Sequence, residues 1–345
     1  MPQLSIVNPL EVPDWDAQVL EFPEATVFHS AAWARVLVES YGFKPQYCVK
    51  YDGKRIAAVL PLMQVRDLLG RKKAVCLPFS DFCAPLYSDP ADFRELFDHA
   101  QDLARARKWR SISIRGHGAF PPETLVATTH FRHVLALNGD SDVLLRGFRD
   151  TTRRNVKKAA KQGVTVDFGS TSESLDQFYR LNCQTRRRHG LPPQPLFFFE
   201  KLFLMMIRPG SGHIVVARCG EKTIAAAVFL IFGATVYFKY GASDEENRSV
   251  MSNFAIFWEA IKYYSAAGYA VLDFGRTEEQ HTGLLQFKTG WGTRQVTVDS
   301  YEYDVARSAF VKSHLPTEGL HNTIFSHAPT FTQKLFSSLF YKYAS

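Results

Sequence analysis

The chain is 345 residues long, 46% hydrophobic and 22% charged, with a net charge of +7. That length predicts about two domains with a large core, and the composition excludes disordered and collagen-like classes. The positive balance invites a polyanionic partner, whether nucleic acid, a nucleotide-linked substrate or an anionic membrane surface; plain solubility is the bland reading.

The five cysteines, Cys48, Cys76, Cys83, Cys183 and Cys219, have no CxxC spacing. They read as reduced, buried small hydrophobes of a cytoplasmic protein, neither a disulfide frame nor a zinc site. The start, MPQLSIVNPLEVPDWD, lacks the basic and apolar regions of a signal peptide. No apolar run reaches the roughly 18–20 residues that cross a bilayer.

Residues 1–140 read as a first unit. Ser30 caps a helix through Ala31, Trp33, Val36 and Leu37 that ends near Tyr41-Gly42. Tyr47 to Tyr51 is a strand, Asp52-Gly53 a hairpin turn, and Ile56 to Val65 the returning strand. Pro61 inside that strand predicts an edge or a bulge. Leu77 to Tyr87 is a proline-rich loop that could line a cleft. Helical periodicity covers Asp92–Lys108, and Ser111 to Ile114 is a strand.

Residues 141–163 read as a basic connecting helix. At 100° per residue Arg146, Arg149, Arg153, Lys157 and Lys161 share one side, with Leu145, Phe148, Thr152, Val156 and Ala159 adjoining. Seven basic residues between Arg146 and Lys161 meet one acid, Asp150. A solvated face usually mixes signs, so this pattern predicts an anion-binding face.

Residues 164–305 read as a second unit. A strand at Val164 to Phe168 leads to a helix from Ser172 to His189, which ends in Arg186-Arg187-Arg188. An aromatic-rich helix, Leu196 to Ile207, follows. Then come three antiparallel strands (His213–Arg218, Thr223–Phe232, Thr235–Tyr240), a helix at Asn253–Ala267 and a strand ending at Asp273. Past that strand a polar loop carries Arg276, Glu278, Glu279 and His281 and closes on Phe287-Lys288-Thr289-Gly290-Trp291-Gly292. Open sheets hold ligands beyond strand ends, which makes Lys288 a candidate site residue against the alternative of a surface lysine. Trp291, flanked by glycine, is expected to line a cleft. Tyr240 could face a substrate or pack as a core tyrosine.

KYDGKRIAAVLPL in the first unit is echoed by ARCGEKTIAAAVFLI in the second, each followed by a helix and a strand. The chain therefore reads as a duplicated module. Residues 306–345 form an aromatic tail, expected to pack on its own domain or lie on a membrane surface. The eleven histidines show no ligand spacing, so no metal is expected.

This order of elements resembles two tandem GNAT-like acyltransferase domains, an α+β (α/β) fold of mixed, mostly antiparallel sheets flanked by helices. His29-Ser30-Ala31-Ala32-Trp33, Arg154-Asn155-Val156-Lys157-Lys158-Ala159, Asp273-Phe274-Gly275-Arg276 and Phe287-Lys288-Thr289-Gly290-Trp291-Gly292 resemble segments of the FemABX aminoacyl transferases and their FemAB-like relatives. The resemblance spans roughly residues 28–300. It implies amide formation on a cell-envelope precursor, of peptidoglycan or exopolysaccharide, with aminoacyl-tRNA as donor and no bound cofactor. It places Lys288 at the transfer centre with Phe287 shaping it. A fixed ammonium there would stabilise the oxyanion made when an amine attacks an ester. Asp273, Glu278 or His281 could take the amine's proton. Arg153, Arg154, Asn155, Lys157, Arg186, Arg276, Tyr240 and Trp291 complete the substrate-binding candidates. The coiled-coil arm of many peptidoglycan-type members is missing, which weakens the tRNA reading. A cytoplasmic location, with a possible place at the inner face of the membrane, goes with this picture.

Two alternatives stand beside it. One is an N-acyltransferase using a CoA or acyl-carrier-protein thioester on an amino-sugar. Its pyrophosphate turn falls at Arg248 to Asn253, where Met251 obstructs close phosphate approach. The other is a non-catalytic protein binding a polyanion or membrane surface through its basic face.

Overall fold

The computed structural model describes residues 3–137, 140–312 and 341–343. These divide into two compact units. The first holds the chain up to His130 and the described segment from Thr297 onward; the second runs from Phe131 to Val296.

In the first unit the elements are β1 (Gln3–Val7), α1 (Trp15–Val19), α2 (Ala31–Tyr41), β2 (Lys44–Pro45), β3 (Tyr47–Asp52), β4 (Arg55–Leu60), β5 (Leu62–Arg66), β6 (Lys72–Cys76), β7 (Leu86–Tyr87), α3 (Pro90–Arg107) and β8 (Ser111–Arg115). Strand β9 (Thr128–Ala136) carries the chain into the second unit. There follow α4 (Ser141–Gly147), α5 (Asp150–Lys161), β10 (Val164–Gly169), α6 (Ser172–Arg188), α7 (Leu196–Leu202), β11 (Gly212–Cys219), β12 (Lys222–Phe232), β13 (Thr235–Ser243), α8 (Ser252–Ala266), β14 (Val271–Thr277) and α9 (Thr282–Thr289). Strand β15 (Arg294–Asp304) returns the chain to the first unit, where β16 (Ala309–Val311) pairs with it.

The first unit has an antiparallel sheet in the order β1-β3-β4-β7 and a second run in the order β15-β8-β6-β5-β2. Pro61 does more than make an edge: it separates β4 and β5, which enter different sheets. A proline has no N–H for a ladder, so the strand changes partners there. Helix α3 begins with Asp89 accepting the Ala91 amide and Pro90 in its first turn, and buries Phe93, Leu96, Phe97, Ala100, Leu103 and Ala104. The proline-rich Leu77–Tyr87 segment is largely buried and takes part in a bridge between Cys83 and Arg115, so it belongs to the core more than to a cleft wall. Phe310, expected in the tail, stacks on Phe97 and meets Phe120 edge-on in this core. The rest of the tail, with its expected membrane face, lies outside the described residues.

The second unit's strands follow the order β10-β11-β12-β13-β14-β9. Neighbours are antiparallel except β13 and β14. The duplicated sequence becomes a duplicated hairpin. β3–β4 turns at Gly53 (φ +61°) and β11–β12 at Gly220 (φ +58°), and each has a bulge just before its turn. Each hairpin is covered by a helix, α3 or α8. The unit boundaries differ from the sequence expectation. The basic segment belongs to the second unit, and the chain from Thr297 returns to the first because β15 pairs with β8.

Candidate active site

Strand β14 pairs in parallel with β13 only from Thr235–Val271 to Tyr237–Asp273. There the parallel ladder ends, although β13 runs on to Ser243 and β14 to Thr277. On its other side β14 pairs with β9, with a register shift between Asp273 and Arg276. Gly275 sits in this bulge at φ +72°, a conformation that costs a side chain with a Cβ.

The bulge turns carbonyls toward α9. Lys288 Nζ donates to Gly275 O at 2.9 Å and to Arg276 O at 3.0 Å. The residue is only 2% exposed. Sequence alone put Lys288 in a loop; it lies in the last turn of α9, where a cation is favoured by the helix dipole. The other side of the bulge is fixed by Asp273. Its buried carboxylate pairs with Arg132 of β9 and accepts the Gly275 amide at 2.7 Å. Asp273 thus holds the backbone that holds Lys288.

His133 was not singled out as a site residue. It is fully buried on β9, and neither ring nitrogen has a hydrogen-bond partner. Burial and the Lys288 charge push its pKa down to about 4, so it is neutral near pH 7. Phe131, on the same face of β9, is the cross-strand partner of Thr277. The Thr277 hydroxyl is also buried without a partner. Two unsatisfied polar side chains therefore accompany the lysine, a costly arrangement that functional sites tolerate. The signal in sequence was a histidine directly before the apolar run Val134-Leu135-Ala136, which becomes informative only once β9 is known to lie beside β14.

Other candidates divide. Phe287 is half-buried and packs edge-on against Phe254 and Phe257. Trp291 lines no cleft: it is fully buried among Phe148, Phe254, Phe257 and Phe274. The large ring is the filler of the second unit's core, and its flanking glycines serve close backbone packing. Tyr240 sits in an aromatic cluster with Phe178, Phe198 and Phe199. Arg276 is exposed and contributes its carbonyl to Lys288. Glu278 and His281 form the rim, 4.0 Å apart, just before α9. The end of α6 reaches this rim. Burial and then Arg188, Arg186 and His281 lower the pKa of His189 just past that end, while Arg186 Nε donates to Pro192 O at 3.3 Å.

The expected single basic helix is two. Helix α4 ends at Gly147, Phe148 and Arg149 are extended, and α5 starts at Asp150. Arg146 therefore leaves the α5 stripe. Arg153 is half-exposed and ion-paired with Asp150, Asn155 is half-buried, and Arg154, Lys157, Lys158 and Lys161 are exposed. The elbow docks on the turn after Lys288. Arg149 N donates to Gly290 O at 2.9 Å. A Cβ on Gly290 would lie 2.5 Å from Thr152 Oγ1, and one on Gly292 would lie 3.1 Å from Gly147 O. The basic helix and the lysine thus share one packed junction.

At the turn where an acyl-CoA pyrophosphate would rest, a 3-10 helix carries Glu245 and Glu246. Met251 adopts φ +62°, and Arg248 is paired with Glu245 at 3.2 Å. Acidic side chains and a methionine suit a diphosphate poorly.

The His29-Ser30-Ala31-Ala32-Trp33 motif is structural. The Ser30 hydroxyl caps α2, Trp33 is fully buried, and His29 is pinned to Thr26 and to Ala84 O.

Residues 146–288 match the acetyltransferase (GNAT) domain family. The chain is 22% identical to a lipid II:glycine glycyltransferase of Staphylococcus aureus, over 81% of this chain and 87% of that protein. Among solved structures, that of FemX superposes with a TM-score of 0.66 at 17% identity, covering 87% of this chain and 96% of the other. A tandem GNAT protein from the clavulanic acid biosynthesis pathway gives 0.56 at 11% identity, covering 88% and 99%. The fold is that of a tandem GNAT-like transferase. Within that class the matches support a FemABX-type protein, the family that the sequence resembles.

Proposed function

We propose that the chain is an aminoacyltransferase that forms an amide bond on a cell-envelope precursor of the peptidoglycan type, with Lys288 at the transfer centre. The observation that carries this reading is the buried Lys288 ammonium, held by two carbonyls of a β-bulge where the parallel ladder of β13 and β14 ends. The likeness to a lipid II:glycine glycyltransferase supports the acceptor class.

The chemistry follows from the residues. An aminoacyl ester is already activated, so no protein nucleophile is required. Attack by the acceptor amine puts negative charge on the ester oxygen, and a positioned ammonium stabilises it before the alcohol leaves. Carbonyl dipoles orient the ammonium without neutralising it. His133 beside the lysine stays neutral, and the proton that the attacking amine sheds goes to the departing ester oxygen. Arg154, Lys157 and Arg186 would hold phosphates of the donor or acceptor. The acceptor, donor and cytoplasmic setting all belong to this proposal.

Lys288→Met, assayed for transfer from charged tRNA and from acyl-CoA side by side, tests it. The expected result is turnover on charged tRNA only, reduced by about 100-fold or more in the variant, the scale of losing one oxyanion donor. Full activity in Lys288→Met would remove the lysine from the centre, and turnover of acyl-CoA alone would favour the thioester reading.

A further inference from the structure

The hairpin joining β5 and β6 carries Leu68 and Leu69 at its tip, 66% and 75% exposed, the most exposed of the large hydrophobics among the described residues. They are held outward by a built turn. Asp67 Oδ1 accepts the amides of Leu69 and Arg71, each at 2.9 Å. Asp67 Oδ2 accepts Arg71 Nε at 2.7 Å, and Arg66 donates to Gly70 O at 2.9 Å. Gly70 takes φ +74° to close the loop.

Cations surround the base of this tip. Arg66 ends β5, Arg71 closes the turn, and Lys72 and Lys73 open β6. The last residue of α3, Arg107, and the segment after it, with Lys108 and Arg110, add more: Arg110 N donates to Lys72 O at 2.8 Å, and Lys72 Nζ donates to Arg107 O at 3.5 Å. Against these cations stand Asp67, taken by Arg71, and Glu302; Lys73 is half-buried, and burial, against the pull of Glu302, lowers its pKa, so Arg66, Arg71 and Lys72 are the collar's main charges on the hairpin.

We propose that this hairpin docks the first unit on an anionic lipid bilayer, with Leu68 and Leu69 entering below the headgroups and the basic collar resting on them. A two-residue apolar tip is far short of the ~800 Å² per partner of a stable protein interface. Phosphates of a nucleic acid would engage the collar but gain nothing from two leucines. A bilayer rewards both, apolar tip below and cations at headgroup level. The inference deepens the reading of an envelope precursor, since a lipid-linked acceptor is presented at such a surface; it rests on that reading for its purpose, while its test needs no turnover.

The test is co-sedimentation of the full chain with vesicles containing phosphatidylglycerol and with vesicles of phosphatidylcholine alone. Wild type is expected to bind the anionic vesicles and to release as salt rises. Leu68→Ser/Leu69→Ser should weaken that binding by about 10-fold or more, with an unchanged melting temperature, because both side chains are exposed. Leu69→Trp should show quenching of its fluorescence by brominated acyl chains. Wild-type-like binding by the double serine variant, no binding by wild type, or an unquenched Leu69→Trp would each overturn the proposal. So would a parallel 10-fold loss of tRNA binding in the serine variant, which would make the hairpin a nucleic-acid contact. Vesicle binding with no transferase activity would leave this inference standing and remove the function proposed above.

Discussion

Lys288 helps to set the protonation state of His133. The lysine is taken out of water but keeps two carbonyl partners, while the histidine beside it is fully buried and neutral with both nitrogens unsatisfied. The pH consequence follows from direction. The His133 pKa falls from 6.5 to about 4 on folding, so between those values the unfolded chain binds more protons and stability rises with pH. His29, also pushed down to about 4 by burial, acts in the same sense. His133→Phe should therefore raise the melting temperature more at pH 5 than at pH 8, as followed by circular dichroism; an equal shift at both would place the protonation penalty elsewhere. The motif residues themselves were legible in the sequence, but their roles were not. Asp273, a proton-acceptor candidate by position, is engaged by Arg132 and by the Gly275 amide. Trp291, expected at a cleft, fills the core.

At the scale of elements, the junction of α5 with the turn after α9 is the coupling to examine. Gly290 is glycine because Thr152 Oγ1 would sit 2.5 Å from any Cβ. Gly290→Ala should cost about 1–3 kcal/mol in urea unfolding, the usual penalty of overpacking, and should lower transfer by shifting Lys288. Thr152→Ala in the same chain removes the clashing hydroxyl and should recover part of both losses. A double-mutant cycle reads the coupling, and strict additivity would mean that the two residues do not meet. Glycine spacing at Gly290 and Gly292 was visible in the sequence; the helix that required it was not, because α5 arrives from far along the chain.

For the whole molecule, charge is the property that composition announced first. Most of the net +7 is matched by the basic excess of the α4–α5 region, and Arg154, Lys157, Lys158 and Lys161 are exposed on α5. Arg154→Glu with Lys157→Glu should weaken tRNA or diphosphate binding strongly at low salt and little at high salt. It should also reduce the slope of log affinity against log salt by about 1 for each lost phosphate contact. Filter binding across a salt series measures it, and an unchanged slope would make α5 a solvated face. No helix of the described residues is long and apolar enough to cross a membrane.

The sequence by itself determined the duplicated hairpin, helix and strand and the basic segment, and it singled out Lys288 for the role proposed above. Periodicity, turn glycines and charge runs are written among near neighbours, and a cap such as Ser30 acts within one helical turn. Only the tertiary structure decided that Pro61 divides two sheets, that the segment from Thr297 rejoins the first unit, and that a bulge at Gly275 supplies the carbonyls for Lys288. It also placed His133 beside that lysine from a strand distant in sequence. Each of these depends on which strands pair and in what register, a choice made by burial across the whole sheet that no local window of residues contains.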